Sequence, residues 1–400
     1  MKQKKIPQRY FVEEFLEKKD FLLFLDLFST DNPPSDLDFE FKIISDIFNG
    51  MCLIPAGLLL GSLYEHYLGF IDNKNHRKTQ GIFYTPLEIV EFILDKTLLI
   101  KLNELSPKTI NFSILDPACG IGIFLIAAFQ RLAAYLDFRT ISRETLKKTL
   151  QQFYGLDLDP LAVKICKMWF LCELSQYIDP KDLKTSLKEF IPALGNIRTG
   201  NALTSNLRQT LTLKANEGFK IILGNPPFLA VKRGHFKYQK KFLQESFSLA
   251  RGQFDAYELF VERATQIIAE NGFLGLVLPR RFLTNEKNEL LRRFLLNNYK
   301  IYTLAEVGAP FQASVEAAIL IAIKVQKQTD QLIQLKDNRQ VELISVSEFK
   351  KTRKTRSVPQ NLLKKLPFSI FNVNLDEELY ALICKISAQS KPLKEWGVNI

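Results

Sequence analysis

Asn225-Pro226-Pro227-Phe228 brings together the residue types best suited to chemistry in this sequence of 400 residues. Asn225 offers a side-chain carbonyl as an acceptor. Proline has no N–H, so its carbonyl stands free, and Phe228 adds a flat apolar face. The two prolines fix their own φ and bias the residue before each towards extended geometry, which makes the turn rigid before anything binds. Two acceptors converging beside an aromatic plane suit a planar ring that bears an amino group. Taken alone, the tetrad fits a proline-rich turn with a packed phenylalanine equally well.

A second group lies upstream, in Asp116-Pro117-Ala118-Cys119-Gly120-Ile121-Gly122-Ile123-Phe124. Glycines between a strand and a helix let a ligand approach the backbone. The turn is not the dinucleotide fingerprint, because Leu125 takes the third glycine's place. Nor is it a phosphate loop, since no Gly-Lys-Ser/Thr follows. The carboxylate of Asp116 at the turn argues for a ligand with a positive charge. Asp157, at the next strand end, is placed to accept hydrogen bonds from ribose hydroxyls. Ribose plus a cation without phosphate points to S-adenosylmethionine.

These residues need strand ends to hold them. Phe219 to Leu223 is an apolar run of buried-strand length, stopped by Gly224 and the prolines. The tetrad therefore follows a strand's carboxyl end, where ligands bind in open α/β sheets. Phe112 to Leu115 predicts another strand, whose turn feeds a helix over Leu125 to Ala134. Phe153 to Leu156 predicts a third, ending at Asp157-Leu158-Asp159-Pro160 before a helix from Leu161. Later come a helix over Ala256 to Ala269, a strand over Phe273 to Leu278, a helix over Glu286 to Leu296, and strands over Ile301 to Val307 and Ala317 to Val325. This alternation predicts an α/β fold with a doubly wound, mostly parallel, Rossmann-like sheet. Before it, Thr85 fits an N-cap, Pro86 the first helical position and Glu88 the reciprocal capping partner of a helix from Leu87 to Leu94.

Three segments are expected: a helical region over 1–80, the main domain over 81–327 and a more polar extension over 328–400. In the first, Asp36 and Glu40-Phe41-Lys42 faintly resemble a nuclease's carboxylate–lysine signature, but they lie too close together for the separate strands such a site needs. His76 reads as a solvated loop residue. The formal charge of +11 and a pI near 9.2 favour an anionic partner, nucleic acid first. Five cysteines form no CxxC pair and there are three histidines, so a reducing compartment and no metal site are expected. The amino terminus lacks a signal-peptide core and the longest apolar runs are too short to span a bilayer, which predicts a cytoplasmic protein without a membrane partner.

Taken in order, GIFYTP, DPACGIGIF, GLDLDP, GNAL and GNPPF resemble the adenine-specific, amino-group DNA methyltransferases of type II/IIG restriction–modification systems, in which cofactor motifs precede the catalytic motif. The resemblance covers roughly Leu60 to Lys327. It implies that Thr85 and its segment close over S-adenosylmethionine, that Asp116, Ala118, Gly120 and Gly122 cradle the methionine part, and that Asp157 holds the ribose. Asn201 stands where many members have Asp against the cofactor's adenine. Asn225, Pro226, Pro227 and Phe228 become the catalytic motif, with double-stranded DNA as substrate and Phe311 as the second face around an extruded base.

The loop from Leu229 to Lys241 interleaves Lys232, Arg233, His235, Lys237, Lys240 and Lys241 with Phe236 and Tyr238, a composition suited either to phosphate contacts or to a solvated surface. The basic run from Lys350 to Arg356 leaves the same two readings open. Members of the resembled family usually carry a target-recognition domain after the catalytic one, and Lys394 to Ile400 resembles the approach to it. Either the chain is a truncated form of a longer protein, or sequence recognition comes from a separate specificity polypeptide as a partner. Two other readings stay open at this point: methylation of a protein glutamine or of RNA, and a DNA-binding assembly subunit without activity.

Overall fold

The computed structural model describes residues 85–104, 113–179, 186, 189–213, 217–229, 239–310, 315–325, 340–351 and 355–389. The expected helical region over 1–80, Phe311, Lys232, Arg233 and the approach at 394–400 lie outside these residues. The principal elements are α1 (Leu87–Lys96), β1 (Ile114–Asp116), α2 (Ile123–Leu136), α3 (Arg143–Leu150), β2 (Phe153–Asp157), α4 (Pro160–Ser175), β3 (Ile197–Thr199), β4 (Phe219–Gly224), α5 (Lys240–Ser246) and α6 (Ala256–Ile267). They continue as β5 (Ile268–Pro279), α7 (Arg281–Thr284), α8 (Glu289–Asn298), β6 (Tyr299–Gly308), β7 (Ala317–Lys324), β8 (Gln340–Ile344), α9 (Val346–Lys351), β9 (Arg356–Pro359) and α10 (Glu377–Gln389).

The strands form a single sheet in the order β3-β2-β1-β4-β5-β7-β6-β8-β9. The run from β3 to β5 is parallel throughout, and β7 enters antiparallel between β5 and β6. This is the expected doubly wound, Rossmann-like α/β fold. Successive residues of each strand face opposite layers, so a strand buried on both sides must be apolar throughout. In β4, Ile221 and Leu223 point into the layer holding α1, α2 and α4, while Ile222 points into the layer holding α6 and α8. Winding away from β1 in both directions makes β1 and β4 the switch point, the place where a crevice opens outside the strand ends.

Three expectations change. Thr85 is not an N-cap: α1 begins at Leu87 after Pro86, whose φ of −55° and ψ of 139° are extended, and no side chain caps the helix. The helix expected over Glu286 to Leu296 splits into a 3₁₀ turn, Glu286–Asn288, and α8. The sheet also runs past the expected boundary at Lys327, because β8 pairs with β6 and β9 with β8. Arg356, at the end of the basic run, sits in β9 and pairs with Glu348 at 3.0 Å.

Arg292 fastens this last part to the rest. Its buried guanidinium donates to the carbonyls of Phe282 (2.9 Å), Asn285 (2.8 Å), Phe368 (3.0 Å) and Ser369 (3.1 Å). Arg292→Met should leave those carbonyls short of donors and cost about 2–4 kcal/mol of stability. Urea denaturation checks this, and a loss below about 1 kcal/mol, the value of a single ordinary hydrogen bond, would show that water replaces the guanidinium.

Candidate active site

Asp116 ends β1 with its side chain only 1% exposed. One of its oxygens accepts from the Ala118 N–H at 3.0 Å. Burial pushes the carboxyl up to about 8, the nearby charge of Asp157 adds to the rise, and the Ala118 bond opposes it. Among the described residues no lysine or arginine forms an ion pair with it. On the other side of the switch point, Gly224 ends β4 with φ +149°, and a Cβ there would meet Asp116 Oδ1 at 2.6 Å. The absence of a side chain thus lets the end of β4 lie directly against the carboxylate.

Asp157 ends β2 and holds the glycine turn. Its oxygens accept from the N–H groups of Gly120 (2.7 Å) and Asp159 (2.9 Å), and burial raises its carboxyl above the usual range. The two glycines of the turn do different work. Gly122, at φ +94°, packs on α4, where a Cβ would meet Cys166 Sγ at 2.4 Å. Around Gly120 a Cβ would meet nothing within 4 Å, which leaves room for a ligand at that point of the backbone. Gly200 N–H bonds the Asp157 carbonyl at 2.8 Å and so joins the ends of β2 and β3. Asn201 follows, its Oδ1 accepting from Leu203 N–H at 2.9 Å.

The tetrad is fastened at both ends. Asn225 donates its Nδ2 to Thr85 Oγ1 at 3.1 Å, and Thr85 is 2% exposed. Thr85 therefore serves a residue 140 positions away instead of its own helix. At the other end, the Leu229 carbonyl accepts from the Ala256 N–H at 2.8 Å, and the Phe228 ring stands edge-on to Tyr257 at 6.4 Å. The Tyr257 hydroxyl is fixed in turn by Asn288 Nδ2 at 2.8 Å.

The structure thus brings Thr85, Asp116, Ala118, Gly120, Gly122, Asp157, Asn201 and the tetrad to one sheet edge. Three contributors went unnoticed in the sequence. Leu158, directly after Asp157, is 50% exposed and offers apolar surface; its signal was an apolar residue after a strand-terminal acid. Arg263 of α6 holds the Leu203 carbonyl at 2.8 Å and covers the Phe247 ring at 4.7 Å, supporting the Asn201 loop. Tyr257 gave no local signal. Among the described residues there is no group of three or more His, Cys, Asp or Glu able to hold a metal ion, and no helix long and apolar enough to cross a membrane.

The raised Asp116 carboxyl has a thermodynamic consequence. The native chain holds this proton more tightly than the unfolded chain, so the group's contribution lowers stability as pH rises from about 4 to about 8. Asp116→Asn should raise the Tm of the ligand-free protein by a few degrees near pH 8, and the gain should vanish near pH 4. Thermal melts across that range decide it; a variant less stable than wild type at pH 8 would show that the carboxylate carries no burial penalty.

Residues 151–312 match the family described as Eco57I restriction-modification methylase. The type II restriction enzyme and methyltransferase RM.Eco57I of Escherichia coli is 30% identical over 295 residues, covering 63% of this chain and 29% of that protein. The type II methyltransferase M.VspI of Vibrio sp. (strain 343) is 25% identical over 365 residues, 90% of this chain and 72% of that one. Among solved structures, the ATP-dependent type ISP restriction-modification enzyme LlaBIII bound to DNA has a TM-score of 0.57 at 15% identity, over 89% of this chain and 30% of that one, a likeness that shows the shared fold. The chain spans less than a third of RM.Eco57I. Its sequence is similar to those of restriction–modification methyltransferases, and the matched stretch contains Asp157, Asn201 and the Asn225 tetrad.

Proposed function

We propose that the sheet domain, from the segment carrying Thr85 through β9, is the catalytic domain of a DNA methyltransferase that moves a methyl group from S-adenosylmethionine to the 6-amino group of adenine. One observation carries the reading: Asn225, oriented by Thr85, stands one residue beyond Gly224, which itself touches the buried carboxylate of Asp116. The acceptor for an amino group and the acceptor for a cation therefore share a strand end. Similarity to type II methyltransferases supports the restriction–modification setting.

The residues fit the cofactor. When bound, S-adenosylmethionine supplies an electrophilic methyl group on a positively charged sulfur. Asp116 is a buried carboxylate with no cation of the chain beside it among the described residues, so a cationic ligand relieves its burial penalty. The open backbone at Gly120 allows close approach, Asp157 keeps lone pairs for hydroxyls, and Leu158 offers an apolar face for a ring.

The target's amino group is a weak nucleophile because its lone pair is delocalised into the ring. Donating Nδ2 to Thr85 leaves Asn225 Oδ1 as the free acceptor of the side chain. That oxygen and the Pro226 carbonyl accept the two amino N–H bonds and draw the nitrogen towards a pyramidal geometry. Phe228, braced by Tyr257, stacks on the base and offsets part of the cost of extruding it from the duplex.

Transfer of labelled methyl groups to DNA, RNA and protein acceptors tests the reading, with DNA the expected acceptor. Asn225→Ala should lower turnover by about 10²–10³ while S-adenosylmethionine affinity stays within about twofold, since its oxygen acts on the base. Thr85→Val should lower turnover by about tenfold through a mis-set Asn225, and Thr85→Ser should restore most of it. Undiminished turnover in Asn225→Ala would place the chemistry elsewhere.

A further inference from the structure

A cleft of about 230 Å³ opens at the same sheet edge, beyond the end of β5, and neither cofactor binding nor amino activation uses it. It lies between α5, the start of α6 and α7. Lys240, Arg281 and Lys287 bring positive charge to its walls, and Asp255 and Glu258 are its carboxylates. These charges do not cancel. Arg281 is matched by Asp255, Nη2 to Oδ2 at 2.9 Å. Glu258 is 5% exposed, and burial pushes its carboxyl up to about 8. Its Oε1 accepts from Asn288 Nδ2 at 3.1 Å and from Asp255 N–H at 3.3 Å, which engages it within the structure. Three cations thus face two carboxylates, and the cleft keeps an excess of positive charge at Lys240 and Lys287.

Two of the cleft's lining residues also support the side chain that braces the tetrad. Asn288 and Arg281 both touch Tyr257, at 2.8 Å from the hydroxyl and 5.8 Å from the ring centre, and Tyr257 braces Phe228. The Ala256 N–H, one residue after Asp255, holds the Leu229 carbonyl. A base extruded towards Asn225 draws its flanking phosphates with it, and the cleft's Asp255 is the neighbour in sequence of the residue that holds Leu229.

We infer that this cleft seats a DNA backbone phosphate beside the extruded adenine, with Lys240 and Lys287 supplying the charge. The inference rests on the DNA methyltransferase reading and adds to it the place where the strand is gripped. Phosphate contacts position a duplex without reading its sequence, so the grip registers as salt dependence.

The test measures affinity of the full chain for a short mixed-sequence duplex as a function of salt. Wild type is compared with Lys240→Gln/Lys287→Gln and with a control pair, Lys147→Gln/Lys148→Gln, on α3, which leads into the opposite, amino end of β2. The cleft pair should flatten the slope of log K against log salt by about one unit, and lower affinity about tenfold at moderate salt, with S-adenosylmethionine affinity and Tm unchanged. The control should keep the wild-type slope. A slope unchanged in the cleft pair, or flattened equally in the control, overturns this inference and leaves the methyltransferase reading standing. A wild type that binds no duplex at any salt overturns both.

Discussion

A buried carboxylate with no cation paired to it among the described residues is the constraint around which this edge of the molecule is arranged. Asp116 is held at the switch point by its own strand, bonded to Ala118 and pressed by the bare backbone of Gly224. Water cannot solvate it there, and Asp157 adds a second carboxyl nearby. A fold tolerates such an arrangement at a site whose ligand completes it. The same contact sets the Asn225 turn, because the residue that must be glycine to lie against Asp116 is the one before Asn225.

The rest of the sheet supplies rigidity to that meeting point. Parallel pairing of β2, β1, β4 and β5 puts four successive strand ends on one edge, and helices on both faces bury the central strands. Arg131 of α2 bonds Glu91 and Asp95 of α1, tying the helix after the glycine turn to the helix after Thr85. Lys96 at the end of α1 meets Glu342 of β8 at 2.8 Å, so even the strands beyond Lys327 brace the segment that carries Thr85. Phe228 and Leu229 are set by α6. The two halves of the proposed site are therefore held by different layers and joined by the Asn225–Thr85 hydrogen bond.

Much of this was legible in the sequence, for physical reasons that also explain the rest. Strands buried on both faces announce themselves as short apolar runs, and acids or prolines directly after them mark the strand ends; the places of Asp116, Asp157 and the tetrad were readable on those grounds. Thr85 was misread because Thr-Pro before an amphipathic stretch is a capping pattern, and nothing local tells that the hydroxyl serves Asn225. Gly120 and Gly122 look alike in sequence, yet one faces open space and the other Cys166, a residue supplied by α4. The strands β8 and β9 were missed because they are short and lie among polar residues, and Arg292 because an arginine buried among carbonyls looks like any helix-surface arginine. In each case the deciding contact is distant in the chain.

Cofactor binding in the absence of DNA examines the central claim at its source. Calorimetric titration of S-adenosylmethionine at pH 7, in two buffers of different ionisation enthalpy, reads the protons exchanged on binding. With the carboxyl of Asp116 raised to about 8 in the free protein and ionised beside a cationic ligand, binding should release roughly one proton per cofactor, and Asp116→Asn should abolish that release. Equal heats in both buffers for the wild type would contradict the account, because Asp116 would then keep the same protonation state with and without its ligand.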